Sequence, residues 1–258
     1  MFVIKTVPVF SFFDNTVHSF VPFCHIDQAM SSEIPNFYEL IGKKYTSQSQ
    51  PHPGWEATKM RVPCRCILYG PAGSGKNNAL LAILTKMCFV EYYICAKNFD
   101  QPLWKFFIDK IRTIEKKIEK PILFLCSQPK ELPDIDLFVA DGKQRVFVYD
   151  DCLTASKKEY DMIAKAWVYG RNLGISTFFL AQAWTPIARV IRLNSDYIVI
   201  KRLNSLSDLR RIIADASIDK KPEELYELYK AATNTMNSFF LIDKVTTEPH
   251  LMFRWNFG

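Results

Sequence analysis

The feature that most constrains this 258-residue chain is a glycine-rich loop between an apolar run and a run of helix-forming residues. The loop reads Gly70-Pro71-Ala72-Gly73-Ser74-Gly75-Lys76-Asn77 and is followed by Asn78. It matches the pattern Gly-x-x-x-x-Gly-Lys-Ser/Thr except at its last position, where Asn77 replaces the hydroxyl residue. Glycines let successive backbone N–H groups turn inward, and Lys76 and the following helix start add positive charge. The pattern predicts that Gly70 through Asn78 bind phosphate groups.

The residues on either side of the loop strengthen this interpretation. Residues 64–69 form a short apolar run that is typical of a buried strand. Residues 78–87 are rich in helix formers. A strand, a glycine loop and a helix in that order are the context that the phosphate-binding motif requires. The alternative is a glycine-rich turn that binds nothing.

A second element ends in two carboxylates. Residues 145–151 read as a buried strand that finishes at Asp150 and Asp151. The carboxyl end of a parallel strand lies at the sheet edge where α/β proteins bind ligands. Asp150 is then placed to hold Mg²⁺ through water, and Asp151 to orient or deprotonate an attacking water. The alternative is a strand followed by an acidic loop.

A third element is the segment from Arg171 to Gln182. Its strand, predicted over 176–182, ends in Gln182, whose amide would lie near the terminal phosphate. Arg171 precedes that strand, so it starts from the opposite sheet edge and is better placed to reach a neighbouring subunit's nucleotide. A polar cap for Gln182 and a surface salt bridge for Arg171 remain the alternatives.

The rest of the chain predicts one α/β domain with an extension. Residues 1–54 are aromatic-rich and end in a polar, proline-broken linker, and residues 55–258 alternate strands with helices. We expect a mostly parallel sheet covered by helices on both faces, with a hairpin at one edge near the C-terminus. Predicted strands are 64–69, 91–96, 122–126, 145–150, 176–182, 196–201, 238–245 and 250–256; predicted helices are 76–88, 102–118, 155–169, 205–216 and 221–233.

Composition bears on the partners and the cellular compartment of the protein. The net charge of +6 permits a polyanionic partner without requiring one. No stretch reaches eighteen apolar residues, so no transmembrane segment is expected. The cysteines number seven, an odd count spread through predicted core elements, which favours a reducing compartment. The basic predicted helix 102–118 is either a solvated face with paired charges or a surface for the backbone of a nucleic acid.

The glycine loop, the strand that ends in two aspartates and the segment from Arg171 to Gln182 together resemble the FtsK–HerA superfamily of P-loop ATPases. Within it, the resemblance is closest to the poxvirus-type DNA-packaging ATPases of large DNA viruses, virophages and related transposons, and it covers roughly residues 60–203. It implies a homo-oligomeric ring that uses ATP and Mg²⁺ to pump double-stranded DNA into a capsid, in contact with capsid vertex proteins. The corresponding location is the virion or a viral factory in the host cytoplasm.

The resemblance also implies roles for individual residues. Lys76 would bind phosphates, Asp150 would handle Mg²⁺, and Asp151 would be the catalytic carboxylate. Gln182 would be the sensor and Arg171 the finger acting in trans, with Arg189, Arg192 and Arg202 as rivals for the latter. Asn77 departs from the family pattern, although an amide oxygen is a suitable ligand for Mg²⁺.

Two other functions stay open at this point. One is a different P-loop enzyme, such as a helicase or a kinase. The other is a hydrolysis-impaired protein whose assembly depends on bound nucleotide, in which Asn77 marks the loss of turnover.

Overall fold

A computed structural model of the chain describes residues 52–216 and 220–258. The predicted N-terminal extension, residues 1–54, lies almost wholly outside the described residues. The division at residue 54 therefore stays a prediction.

The described residues form an eight-stranded sheet with helices between most of its strands. The strands are β1 (Arg65–Tyr69), β2 (Glu91–Ala96), β3 (Leu123–Cys126), β4 (Arg145–Asp150), β5 (Ile175–Ala181), β6 (Tyr197–Ile200), β7 (Phe240–Asp243) and β8 (Phe253–Trp255). The α-helices are α1 (Trp55–Thr58), α2 (Lys76–Leu84), α3 (Pro102–Ile118), α4 (Lys157–Tyr169), α5 (Arg189–Leu193), α6 (Leu206–Ala216) and α7 (Pro222–Ala232).

The strand order is β3-β2-β4-β5-β1-β6-β7-β8. The strands from β3 to β6 in this order run parallel, because each connection between them crosses over the sheet and returns to the same end. The last two strands pair antiparallel, so β7 and β8 form the predicted hairpin at one edge. The carboxyl ends of β4, β5, β1 and β6 therefore lie side by side at one edge of the sheet.

Helices cover both faces of the sheet, as predicted. Alternate residues of each central strand point to opposite faces, so β1 sends Ile67 into one apolar cluster and Leu68 into the other. The cluster around Leu68 is closed by α2 and α3. The cluster around Ile67 is closed by α4, α5, α6 and α7. The α/β fold class expected from the sequence is confirmed.

Some predicted boundaries were wrong by a few residues. The helix predicted over 155–169 begins at Lys157, because the Ser156 hydroxyl and the Glu159 carboxylate form a capping box there. The strand predicted over 250–256 is shortened to β8, because Pro249–Leu251 forms a 3-10 turn before it. Neither change moves a residue of the candidate site.

Candidate nucleotide site

The loop between β1 and α2 has the backbone that its glycines predict. Gly73 and Gly75 adopt positive φ angles of 71° and 86°, a conformation that other residues rarely adopt. Gly70 is required for a different reason, which is space. A Cβ at Gly70 would lie 2.7 Å from the Lys201 Cβ and 2.8 Å from the Ser74 hydroxyl. Each glycine thus allows the tight curl of the loop, the backbone shape with which such loops direct N–H groups at an anion.

The start of α2 offers hydrogen-bond donors to an anion. Gly75 is its N-cap residue and supplies no side-chain acceptor, so the first backbone N–H groups, from Lys76 onward, have no acceptor within the helix. The Ser74 hydroxyl in the same loop is buried and has no hydrogen-bond partner among the described residues. The unpaired N–H groups of this first turn and the positive end of the helix dipole fit the phosphate groups of a nucleotide.

Lys76 is folded over the loop. Its Nζ donates to the carbonyl oxygens of Gly70 at 2.8 Å and Pro71 at 2.9 Å. Burial lowers the pKa of Lys76, and the nearby carboxylates of Asp150 and Asp151 act in the opposite direction. The ammonium is therefore held at the mouth of the loop by neutral carbonyls, which phosphate oxygens can replace.

Asp150 ends β4 and turns toward the loop. Its Oδ2 accepts from the Trp104 indole Nε1 at 3.2 Å and lies 3.5 Å from the Asn77 Nδ2. Burial raises the pKa of Asp150, Asp151 raises it further, and Trp104, Lys76 and Asn77 oppose these effects. A half-buried carboxylate with few donors is suited to a cation that would offset its burial.

Asp151 follows in a left-handed conformation, with φ at 56°. This backbone starts the 3-10 turn Cys152–Thr154 and leaves the Asp151 side chain exposed at the carboxyl edge of the sheet. The two consecutive carboxylates thus have different surroundings, one half-buried and one solvated. The metal-holding role of Asp150 and the water-orienting role of Asp151 stay predictions.

Asn77 lies between the loop and Asp150. Its Nδ2 donates to the Gln101 Oε1 at 3.0 Å, besides its long contact with Asp150. A rotation of the amide would turn its oxygen toward Asp150 and present two oxygen ligands, which fits Mg²⁺. Residues 52–216 and 220–258 contain no cluster of three His, Cys, Asp or Glu residues, so the remaining Mg²⁺ ligands would be phosphate and water.

Gln182 and Arg171 lie at opposite edges of the sheet. Gln182 is exposed and directly follows β5, the strand between β1 and β4. Arg171 lies in the 3-10 turn before β5, where its guanidinium is half-exposed and 3.8 Å from Asp196. The Asp196 carboxylate already accepts two hydrogen bonds from the Arg65 guanidinium, at 2.7 Å and 3.1 Å. Arg171 is thus weakly held and far from the loop of its own chain.

The rival arginines differ in how firmly they are held. The Arg192 guanidinium is bonded to Asp215 and to the Ile187 carbonyl. Arg189 and Arg202 are both exposed. Arg192 is therefore held by contacts within its own chain. Arg189 and Arg202 stay alternatives to Arg171 for the role in trans.

The sequence interpretation missed three residues that contact this site. Trp104 and Gln101 lie at the start of α3 and contact Asp150 and Asn77, a placement that depends on β2 pairing with β4. Lys201 directly follows β6 and packs against Gly70. The rule that selected Asp150 and Gln182, a polar residue ending a buried strand, would have selected Lys201 too.

The parallel sheet, the glycine loop leading into α2, and the facing Lys76 and Asp150 define a P-loop NTPase fold. No protein-family model matches this sequence, and no curated protein matches it.

Solved structures with similar architecture include ATPases of two kinds. The DNA-packaging ATPase B204 from Sulfolobus turreted icosahedral virus is 16% identical, with a TM-score of 0.49 over 76% of this chain and 97% of that one. The cytoplasmic domain of the Thermomonospora curvata type VII secretion ATPase EccC is 14% identical, with a TM-score of 0.48 over 72% of this chain and 24% of that one. At these values the likeness is one of general architecture alone.

Proposed function

We propose that this protein binds and hydrolyses ATP with Mg²⁺. The observation that carries the proposal is that Lys76, Asn77 and Asp150 converge at one sheet edge. The Asn77 Nδ2 lies 3.5 Å from the Asp150 Oδ2. Three separate segments of the sequence supply the loop, the carboxylates and the polar strand end at Gln182. A glycine turn with no ligand would not require such a convergence.

Each residue has a distinct proposed role. Lys76 exchanges the loop carbonyls for phosphate oxygens, and the N–H groups of the loop cradle the remaining charge. Asp150 and the Asn77 amide oxygen hold Mg²⁺, which supplies charge neutralisation on the phosphates. Asp151 orients the attacking water, and Gln182 contacts the terminal phosphate. Arg171 is proposed to complete the site of an adjacent subunit.

We further propose that hydrolysis drives double-stranded DNA into a viral capsid. This finer proposal is supported by the sequence resemblance to packaging ATPases and by the net charge of +6, which suits a polyanion. It includes a homo-oligomeric ring, contacts with capsid vertex proteins, and a location in the virion or in a cytoplasmic viral factory. Among the described residues, no helix has both the length and the apolar character needed to cross a membrane.

The basic face of α3 is a candidate DNA contact within this proposal. Its exposed cations are Lys105, Lys110, Arg112, Lys116 and Lys117. Two of them are paired, Lys105 with Asp100 at 3.2 Å and Arg112 with Glu115 at 2.6 Å. The face is thus partly neutralised, and a weak contact with the DNA backbone is all that it supports.

The test is ATP hydrolysis measured with and without duplex DNA. We expect Mg²⁺-dependent turnover that duplex DNA stimulates, with the stimulation falling steeply as salt rises because phosphate contacts release counterions. The Asp151→Asn variant is the control, since it should bind ATP without turning it over. Turnover that ignores duplex DNA would overturn the translocation proposal and leave the ATPase proposal standing; stimulation by single strands alone would favour a helicase.

Asn77 favours one second candidate, a nucleotide-dependent assembly protein with impaired hydrolysis. The hydroxyl that usually ligates Mg²⁺ is missing, and the amide points its donor at Asp150. This candidate predicts that ATP binds but is not hydrolysed at any Mg²⁺ concentration.

A further inference from the structure

The strand order sets the direction in which a bound nucleotide must lie. Asp150 ends β4 and Gln182 follows β5, and both strands lie on one side of β1 and its loop. In the proposed function the terminal phosphate faces those residues. The nucleoside end must then leave the loop on the other side of β1, where β6 and β7 lie.

Lys201 connects the phosphate-binding loop to the segment on that side. It directly follows β6, and its side chain is 1% exposed and runs beneath the glycines of the loop. Its Nζ lies 3.5 Å from where a Cβ on Gly75 would be. The same Nζ donates to the carbonyl oxygens of Met236 at 3.0 Å and Ser238 at 2.7 Å. The segment Thr233–Ser238 is thereby fixed beside the start of α2.

This segment presents an unusual surface for a loop. Its middle residues, Asn234 to Asn237, are exposed, whereas Thr233 and Ser238 are buried and bonded to neighbouring backbone. Met236 is 80% exposed, although its carbonyl oxygen is only 3.6 Å from the Cβ position of Gly75. An exposed, unbranched apolar side chain beside a phosphate site is suited to a flat apolar surface such as a nucleobase.

We propose that the segment Thr233–Ser238 forms the nucleobase side of the site, with Met236 packing against one face of the base. Lys201 holds the segment in place, and the amides of Asn234 and Asn237 supply donors and acceptors for the base edge. The ligand class is a nucleoside triphosphate, held through its base as well as its phosphates. The inference rests on the proposed function, because it needs the phosphates in the Gly70–Lys76 loop.

The experiment compares ATP with a ligand that lacks the nucleoside. Binding of ATP and of inorganic tripolyphosphate, which carries phosphates alone, is measured calorimetrically for the full chain and for Met236→Ala. We expect the Kd for ATP to rise about fivefold in the variant, since apolar contact area is lost, and the Kd for tripolyphosphate to stay within about twofold. Met236→Leu, which keeps an apolar side chain, should bind ATP nearly as the natural chain does. Leu137→Ala, at a residue 76% exposed between β3 and β4, is the matched control.

The outcomes separate this inference from the proposed function. An unchanged Kd for ATP in Met236→Ala, with both ligands binding normally, overturns the nucleobase assignment alone. Equal weakening of ATP and tripolyphosphate also overturns it, because Met236 would then act on the phosphates. If the natural chain binds neither ligand, the proposed function fails as well.

Discussion

Asn77 is the residue at which this site departs most from its motif. Replacement by threonine would restore the hydroxyl at the second residue of α2, facing the Asp150 carboxylate across the loop. We expect Asn77→Thr to hydrolyse ATP as fast as the natural chain or up to about tenfold faster, since a shorter oxygen ligand fits the Mg²⁺ octahedron better. Steady-state turnover across Mg²⁺ concentrations measures this. Abolished turnover would give Asn77 a dedicated role that the motif does not explain.

Asp150 links the chemistry of the site to the stability of the fold. Burial raises its pKa, so its contribution to stability is complete below the unfolded-state pKa of about 3.9 and is lost as the pH rises through the higher folded-state pKa. At neutral pH the charged carboxylate therefore costs stability.

We expect Asp150→Asn to abolish hydrolysis while raising Tm by about 2 °C at pH 7.5, because the amide keeps an oxygen for Trp104 without the buried charge. The gain should shrink as the pH falls to 5. Thermal unfolding at both pH values measures it, with the exposed Asp151→Asn as the control. A lower Tm at pH 7.5 would contradict the assignment of the burial cost to this carboxylate.

At the scale of elements, the strands were predictable because apolar runs of four to seven residues are distinctive in this sequence. The exact ends of the strands and helices were less predictable, because they depend on local hydrogen bonds such as those of the Ser156 capping box. The short helices α1 and α5 carry no periodic pattern long enough to read. Their positions come from tertiary contacts, such as the Arg254 guanidinium donating to the Thr58 carbonyl at 2.7 Å.

Arg254 also forms a buried ion pair, so its guanidinium joins three elements: α1, β7 and β8. Arg254 in β8 lies 3.1 Å from the Asp243 carboxylate at the end of β7, and both side chains are fully buried. We expect Arg254→Ala to lower the free energy of unfolding by about 3 kcal/mol, because it leaves a buried carboxylate unpaired, and hence Tm by about 8 °C. Thermal unfolding beside the exposed Arg210→Ala tests this. Equal, small effects of the two changes would show that the pair contributes little.

Across the whole molecule, the sequence predicted which residues lie at the carboxyl edge of the sheet but not the order in which they lie along it. The rule that ligands bind at the carboxyl ends of parallel strands placed Lys76, Asp150 and Gln182 together without knowledge of strand order. Strand order is set by long-range pairing, which no local pattern encodes. For that reason the contacts of Trp104 with Asp150 and of Lys201 with the Met236 carbonyl could not be read from the sequence.

The proposed activity requires that Lys76 and the backbone of its loop bind a nucleoside triphosphate. Calorimetric titration of ATP into the natural chain and into Lys76→Ala tests it most directly, with the exposed Lys230→Ala as the control. We expect ATP to bind to the natural chain and to Lys230→Ala. The Kd of Lys76→Ala should be at least about tenfold higher, because a charge-assisted contact to phosphate is lost. An ATP affinity that is the same in all three proteins would contradict it.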